Sequence, residues 1–467
     1  MCSRYLTLLV IILTHCTQIF SQEKIYISDI ILEGNNKTQR KVILRELDIA
    51  VGNTINLKNL EQKFTKNRLQ LLSTGLFNEV KINLIDYYIS ESTAKIEVIM
   101  EENWYLFPVP IFELADRNFN VWIKEQGAKL NRTNYGLRIG HYNFTGNRDP
   151  LKLKVHFGYT RKYEITYAYP YLYLENKLGL AGSIFYSENR EIAYKTENNK
   201  TLFHKMEDER KLLSRFRIGP ELKYRPSIYS FHSLRFEYHH NKIDPFVATE
   251  LNPEYFLDGR TDLRFLFLEY DYNYDRRAYS QYPQGGYLIF GNLKKEGLGI
   301  FNDFDNLSVQ LGFEKHHKLT ENVFISSRNK AKTNLTQGRV AFANNTGLGW
   351  DNDIVSGYDL YVMDGTSYFI TINNIKWKFF DNNLNTVKWL PKQFRKMKFI
   401  AFLRLNLDAA IVKEETYTET NFLSNKWFYG GGPALDLIFF NNFLFSFEYS
   451  FNDLGERGLF INNTITF

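Results

Sequence analysis

The chain has 467 residues and is 16% aromatic, with Phe 39, Tyr 31 and Trp 6, yet 24% of residues are charged and mean hydropathy is −0.36. No run of 18 apolar residues occurs, which excludes a helical membrane protein, and a charged fraction near one quarter argues against a disordered chain. Net charge is only +6 and basic residues do not cluster away from acids, so there is no nucleic-acid footprint. The one basic run, Lys392 to Lys398, reads as a turn or rim. Many aromatics in a chain that is polar on average suit a transmembrane barrel, where outward and inward residues alternate. A large soluble β protein has the same composition.

In chain order, Arg4 precedes a nine-residue apolar stretch from Tyr5 to Leu13, and Ser21 follows as a small residue. This is the pattern of a cleaved secretory signal over residues 1–21. Cys2 and Cys16 both lie within it, so the processed chain is expected to have no disulfide, thiolate zinc site or cysteine nucleophile. His15 before Cys16 argues against a lipid-modified cysteine.

Residues 24–102 mix two periodicities. Ile25, Ile27 and Ile30 to Leu32 predict a strand ending at the turn Gly34-Asn35-Asn36. Thr38 is placed to cap a helix with Val42, Ile43 and Leu47 on one face. A second helix, opened by Thr54 or Asn56, carries Leu57, Leu60, Phe64 and Leu71 and stops at Gly75. Strands follow at Phe77 to Leu84 and at Ala94 to Val98. The order β-α-α-β-β predicts a small α+β unit with both helices on one face of a sheet.

Residues 103–467 change to period two. Leu151, Leu153, Val155, Phe157 and Tyr159 alternate with Lys152, Lys154, His156, Gly158 and Thr160, and the segment from Tyr163 to Tyr171 does the same. Sixteen such segments begin near residues 107, 134, 151, 163, 177, 214, 232, 262, 286, 306, 322, 367, 397, 427, 442 and 457. About 23 residues per strand and connection suits strands of about ten residues joined by alternating short turns and long loops. An even count closing on itself removes the edges of the sheet. The fold class is therefore mainly β: a 16-stranded antiparallel transmembrane barrel after one small α+β domain.

No catalytic, cofactor or metal site is expected. His239-His240 and His316-His317 are neighbours on strands, so each pair points to opposite faces and cannot easily chelate one ion. Gly430-Gly431-Gly432-Pro433 lacks the Lys-Ser/Thr of a phosphate loop and reads as a place where a strand bends or a loop packs closely. No Gly-x-Ser-x-Gly elbow occurs.

The N-terminal unit resembles a POTRA domain, the periplasmic module of outer-membrane assembly factors of the BamA type. The resemblance rests on Ile31-x-x-Gly34-Asn35, Val51-Gly52, Gly75-Leu76-Phe77 with Val80 and Ile82, and Glu101-Glu102. The remainder resembles the bacterial surface antigen barrel, through Tyr142-Asn143-Phe144-Thr145-Gly146-Asn147, the stretch Pro170-Tyr171-Leu172-Tyr173, Tyr274-Asp275-Arg276-Arg277, and Tyr282-Pro283-Gln284-Gly285-Gly286. The terminal Phe467 matches the aromatic end by which such barrels are recognised for insertion. The family carries Val-Arg-Gly-Phe/Tyr on a loop folded into the lumen, its arginine paired with strand acids. The matching place here is Val355-Ser356-Gly357-Tyr358, without the arginine. Lys376 and Asp408, on the next two strands, are expected either to neutralise one another in its stead or to stand as two separate solvated charges.

The resemblance implies an outer-membrane protein of a diderm bacterium. Its partners would be nascent outer-membrane proteins or an exported polypeptide, the lipid bilayer, and periplasmic or lipoprotein accessory subunits. Its work would be assembly and insertion of client barrels, or transport of one polypeptide or solute through the lumen. In the first case a seam between the first and last strands would open. Pro108 and Pro110 either lie in the first strand and weaken that seam, since proline cannot donate, or precede a strand that begins near Ile111.

Overall fold

The computed structural model describes residues 24–465, apart from 174–176, 278–281, 302–303, 337, 351–352, 386–395, 416–420 and 440–442. The expected leader over residues 1–21, most of the basic run, and Phe467 lie outside the described residues. By compactness the chain forms two units, and the first includes the turn at 140–151 along with the residues up to 107.

The first unit contains β1 (Lys24–Glu33), α1 (Arg40–Glu46), β2 (Thr54–Asn56), α2 (Leu60–Ser73), β3 (Phe77–Tyr88) and β4 (Thr93–Glu102). The sheet order is β2-β1-β4-β3, with β1 parallel to β4 and β3 antiparallel to it. The sheet has one strand more than the sequence pattern suggests, because Thr54–Asn56 pairs with Lys24 to Tyr26 before the second helix begins. Asn56 caps a single 3-10 turn, Leu57–Asn59, accepting the Lys58 amide at 3.0 Å, and α2 follows directly with Asn59 at its cap position and no side-chain bond there. Ile25, Ile27, Val42, Ile43, Leu71, Val80, Ile96 and Val98 form a continuous buried core, with Leu57, Leu60 and Phe64 packed against it.

Thr38 does not cap α1: the cap position is Gln39, and no side-chain bond closes it. The Thr38 amide instead donates to Glu102 Oε1 at 2.6 Å, and its hydroxyl bonds with Tyr105 OH at 3.1 Å. Asn143 Nδ2 donates to the same hydroxyl at 3.0 Å. The Tyr142-to-Asn147 motif is a turn organised by Asp149, whose carboxylate accepts the Thr145 amide at 3.0 Å and hydroxyl at 2.7 Å. Asn143 and Asp149 are fully buried, so this motif builds the turn itself.

The second unit is one sixteen-stranded sheet. Its strands begin with β5 (Leu106–Leu114), after which comes the short helix α3 (Phe119–Lys124), then β6 (Thr133–His141), β7 (Leu151–Gly158), β8 (Thr160–Tyr173) and β9 (Leu178–Asn189). A separate hairpin, β10 (Glu191–Glu197) with β11 (Lys200–Lys205), interrupts the series. The sheet resumes with β12 (Leu213–Tyr224), β13 (Ser230–Ile243), β14 (Asp262–Asp275), β15 (Gly286–Glu296), β16 (Asn306–Lys318) and β17 (Val323–Asn334). It ends with β18 (Ser367–Asn385), β19 (Lys396–Lys413), β20 (Trp427–Phe439), β21 (Phe443–Asn452) and β22 (Arg457–Ile465). The strand order follows the chain, as in an up-and-down barrel.

Alternation sets the two faces. On β19, Leu403, Leu405 and Leu407 are 46%, 55% and 71% exposed, while Asn406 and Asp408 between them are buried. Apolar residues outside and polar residues inside is the arrangement that a bilayer demands of a barrel. The first strand begins at Leu106 and includes both Pro108 and Pro110, which excludes a start near Ile111.

Candidate functional site

The loop 335–366 between β17 and β18 is drawn inward by its own apolar residues. Leu348 and Met363 form a bridge across it, and both are fully buried, as are Val355 and Tyr358. They pack with Ile370, Ala410, Val412 and Phe428 from the strand walls. Tyr358 lies against Phe428 at 5.0 Å between ring centroids, and its hydroxyl bonds to Asp453. Tyr361 OH donates to Glu456 Oε1 at 2.8 Å. The loop is thus fixed by an apolar plug and two phenol–carboxylate bonds.

Ser356 is seated by glycine. A Cβ on Gly430 would stand 1.8 Å from the Ser356 carbonyl oxygen, and one on Gly431 would stand 2.5 Å from the Asn406 carbonyl oxygen. The glycine run therefore lets backbone approach backbone, as expected of it. Gly357 has φ +82°, a left-handed turn that glycine adopts without strain, and its carbonyl accepts Asn452 Nδ2 at 3.0 Å.

The side chain at the arginine-less position bonds directly to Asp408. The Ser356 hydroxyl donates to Asp408 Oδ2 at 2.7 Å and its amide donates to the same oxygen at 3.1 Å. The Asn373 amide donates to Oδ1 at 3.1 Å. Three neutral donors hold a buried carboxylate with no cation in the set, a burden that hydrogen bonding can offset.

Lys376 is elsewhere. The β18–β19 register puts Lys376 opposite Arg404 and Asp408 opposite Ile372. Both side chains lie on the inner face, but among the described residues no ion pair joins them. Lys376 Nζ sits 4.2 Å from the centroid of the Tyr282 ring, a cation–π contact. The Tyr282 hydroxyl donates to Asp436 Oδ2 at 2.6 Å.

An arginine does join this site, from a strand rather than the loop: Arg404, which the sequence pattern did not single out. Its Nε donates to Asp436 Oδ2 at 2.7 Å and its Nη2 to Asp436 Oδ1 at 3.1 Å and Ser446 Oγ at 2.8 Å. Glu448 Oε2 lies 3.5 Å away. Arg404, Ala434 and Glu448 fall in one row across β19, β20 and β21, and the small Ala434 leaves room for the two long side chains above it. Asn406 joins this cluster to the loop, donating to Glu448 Oε2 at 2.8 Å and to Ser356 Oγ at 3.2 Å. A chain of polar contacts thus runs from Asp436 through Arg404 and Asn406 to Ser356 and Asp408. The signal for it was parity: Arg404 shares the inner face with Asp408.

The histidine neighbours have different partners. His239 Nε2 bonds to Glu237 at 2.7 Å, whereas His240 Nε2 bonds to Asp262 at 2.7 Å.

The comparisons agree with this architecture. Residues 25–102 match the POTRA family, described as surface antigen variable number repeat, and residues 143–369 match the Omp85 superfamily domain. No curated protein matches the chain in sequence. Among solved structures, BamA from Haemophilus ducreyi lacking POTRA domains 1–3 is similar at 14% identity and a TM-score of 0.67, covering 95% of this chain and 85% of that one. CdiB from Acinetobacter baumannii aligns at 12% identity and a TM-score of 0.49, covering 95% and 74%. With one POTRA unit leading into a sixteen-stranded outer-membrane-type barrel, the chain belongs to the Omp85 superfamily.

Proposed function

We propose that the chain is an outer-membrane protein assembly and insertion factor of a diderm bacterium. Its POTRA unit lies in the periplasm and captures extended client segments, and the seam between β5 and β22 templates their insertion. The observation that carries this is the outer strand of the small sheet: β3, twelve residues from Phe77 to Tyr88, stands last in the order β2-β1-β4-β3. A long edge strand offers backbone donors and acceptors to an added strand whatever its side chains, and the surface ion pair of Lys81 with Glu79 protects such an edge from indiscriminate pairing. Pro108 and Pro110 give further support. Two positions apart on β5, they leave the same flank of the strand without two donors. A poorly paired seam beside lipid is costly, and an incoming strand relieves that cost. Local thinning of the bilayer by a short barrel would ease entry.

The alternative is passage of one exported polypeptide or solute through the lumen. The buried loop residues Leu348, Val355, Tyr358 and Met363 fill part of that route, which favours lateral exit over axial passage. Depletion followed by outer-membrane proteomics separates the two. Loss of many barrel proteins is expected; loss of a single exported product would overturn assembly in favour of transport. A large steady conductance of the purified protein in planar bilayers would count the same way.

A further inference from the structure

The loop after the first strand reaches the last strand. β22 has β21 on one side, with Ile461 opposite Phe447. Successive N–H groups of a strand point alternately to its two flanks. The Ile461 amide donates to Asn120 Oδ1 of α3 at 2.8 Å, on the flank that a neighbouring strand would otherwise occupy.

Asn120 is held so that it can accept this bond. It is 4% exposed, and its Nδ2 donates to Asp359 Oδ1 at 3.1 Å and to Asn462 Oδ1 at 3.4 Å. Asn118 caps α3 by accepting the Val121 amide at 2.8 Å, and its own Nδ2 donates to the Asp359 carbonyl at 2.8 Å. At the far end of the helix Lys124 Nζ lies 4.2 Å from the Phe460 ring centroid. A strand would offer acceptors at every second residue, whereas Asn120 offers one at one rung. A cavity of about 440 Å³, lined in part by Asn118, Phe119 and Asp359, adjoins the helix, so α3 can shift without forcing a filled core to repack.

We infer that Asn120 is a positioning residue that occupies the seam edge of the last strand at Ile461, and that α3 must withdraw before another strand can pair there. This rests on the seam being the place of client entry, as proposed above. The same carboxylate that fixes Asn120 belongs to the lumenal loop, so loop and seam move together: release of Asp359 from α3 is the step that frees the edge.

Two measurements on the full-length protein in lipid vesicles test this, with unboiled gel migration confirming a folded barrel in each variant. The first is hydrogen exchange over residues 457–465. In Asn120→Ala it is expected to be roughly tenfold faster than in the parent, which is about 1.4 kcal/mol, whereas Lys129→Ala in the same loop leaves it unchanged. Unchanged exchange in Asn120→Ala overturns the inference. The second is a disulfide between Asn120→Cys and Asn462→Cys, whose native side chains already touch. Oxidation is expected to stop insertion of a model client barrel and reduction to restore it; insertion at the parent rate with the bond closed overturns the inference. If exchange responds but depletion leaves other outer-membrane barrels intact, the edge cap stands and the assembly function falls.

Discussion

The POTRA unit and the barrel solve opposite problems with similar residues. In the first, Ile25, Ile27, Ile43 and Ile96 are fully buried and water meets the charged surface. In the second, Leu403, Leu405 and Leu407 face outward while Arg404, Asn406, Asp408, Asp436 and Glu448 lie within. A soluble core gains from removing apolar area from water. A barrel in lipid gains nothing from that on its outer face, so its specificity comes from backbone ladders and from polar side chains that must satisfy one another inside. The same polar cluster would be a defect in the small domain. In the barrel it ties the lumenal loop to three strands.

The largest effect should come from breaking that cluster at its centre. Asp436→Ala leaves Arg404 buried without the carboxylate that it binds through two nitrogens, and the expected cost is about 3 kcal/mol. This is the low end of the range for a buried pair, because Glu448 remains 3.5 Å away. The midpoint of urea unfolding of the barrel, followed by gel migration, should fall accordingly. No change in midpoint would mean that water already satisfies Arg404.

Ile96→Ala tests the other region. Ile96 is 1% exposed at the middle of the small sheet, and a loss of about 2–3 kcal/mol is expected from transfer and cavity terms. It should speed hydrogen exchange in residues 24–102 and leave β12 to β22 unaffected. Exchange that rises across both units would deny that they are separate cores.

Leu407→Arg inverts the comparison by putting on the outer face what belongs within. A cost of about 2 kcal/mol is expected if Leu407 lies near the bilayer midplane, falling towards zero at the interfaces. The same change is a measure of depth along β19. A gain in barrel stability would place Leu407 in contact with water.

The smallest effect concerns pH and the soluble unit. Burial works to raise the Asp48 pKa, but hydrogen bonds from Lys66, at 2.6 Å, and from Asn67 more than offset it, so the group sits below the ordinary aspartate value. A depressed folded pKa contributes stability above the unfolded pKa of about 3.9 and loses it as pH falls through the folded value. Exchange protection in residues 24–102 should therefore weaken below about pH 4 by less than 1 kcal/mol. Asp48→Asn should lack this slope, and an unaltered slope would assign it to other carboxylates.

What the sequence determined by itself was everything carried by local period. The sixteen strands, the turn at Gly34 and the end of α2 at Gly75 follow from alternation, helical spacing and glycine, because each depends on neighbours a few residues apart. The role of Gly430 was legible for the same reason. What the sequence could not determine is which inward side chains meet. Lys376 and Asp408 share a face, yet the register of β18 against β19 separates them by two pairs on that face. A register is fixed by turns and ladders summed over whole strands, and a shift of two changes every partner while leaving the alternation intact. Only the tertiary structure therefore gave Asp408 to Ser356, gave Asp436 and Glu448 to Arg404, and brought Asn120 to Ile461 from 341 positions away.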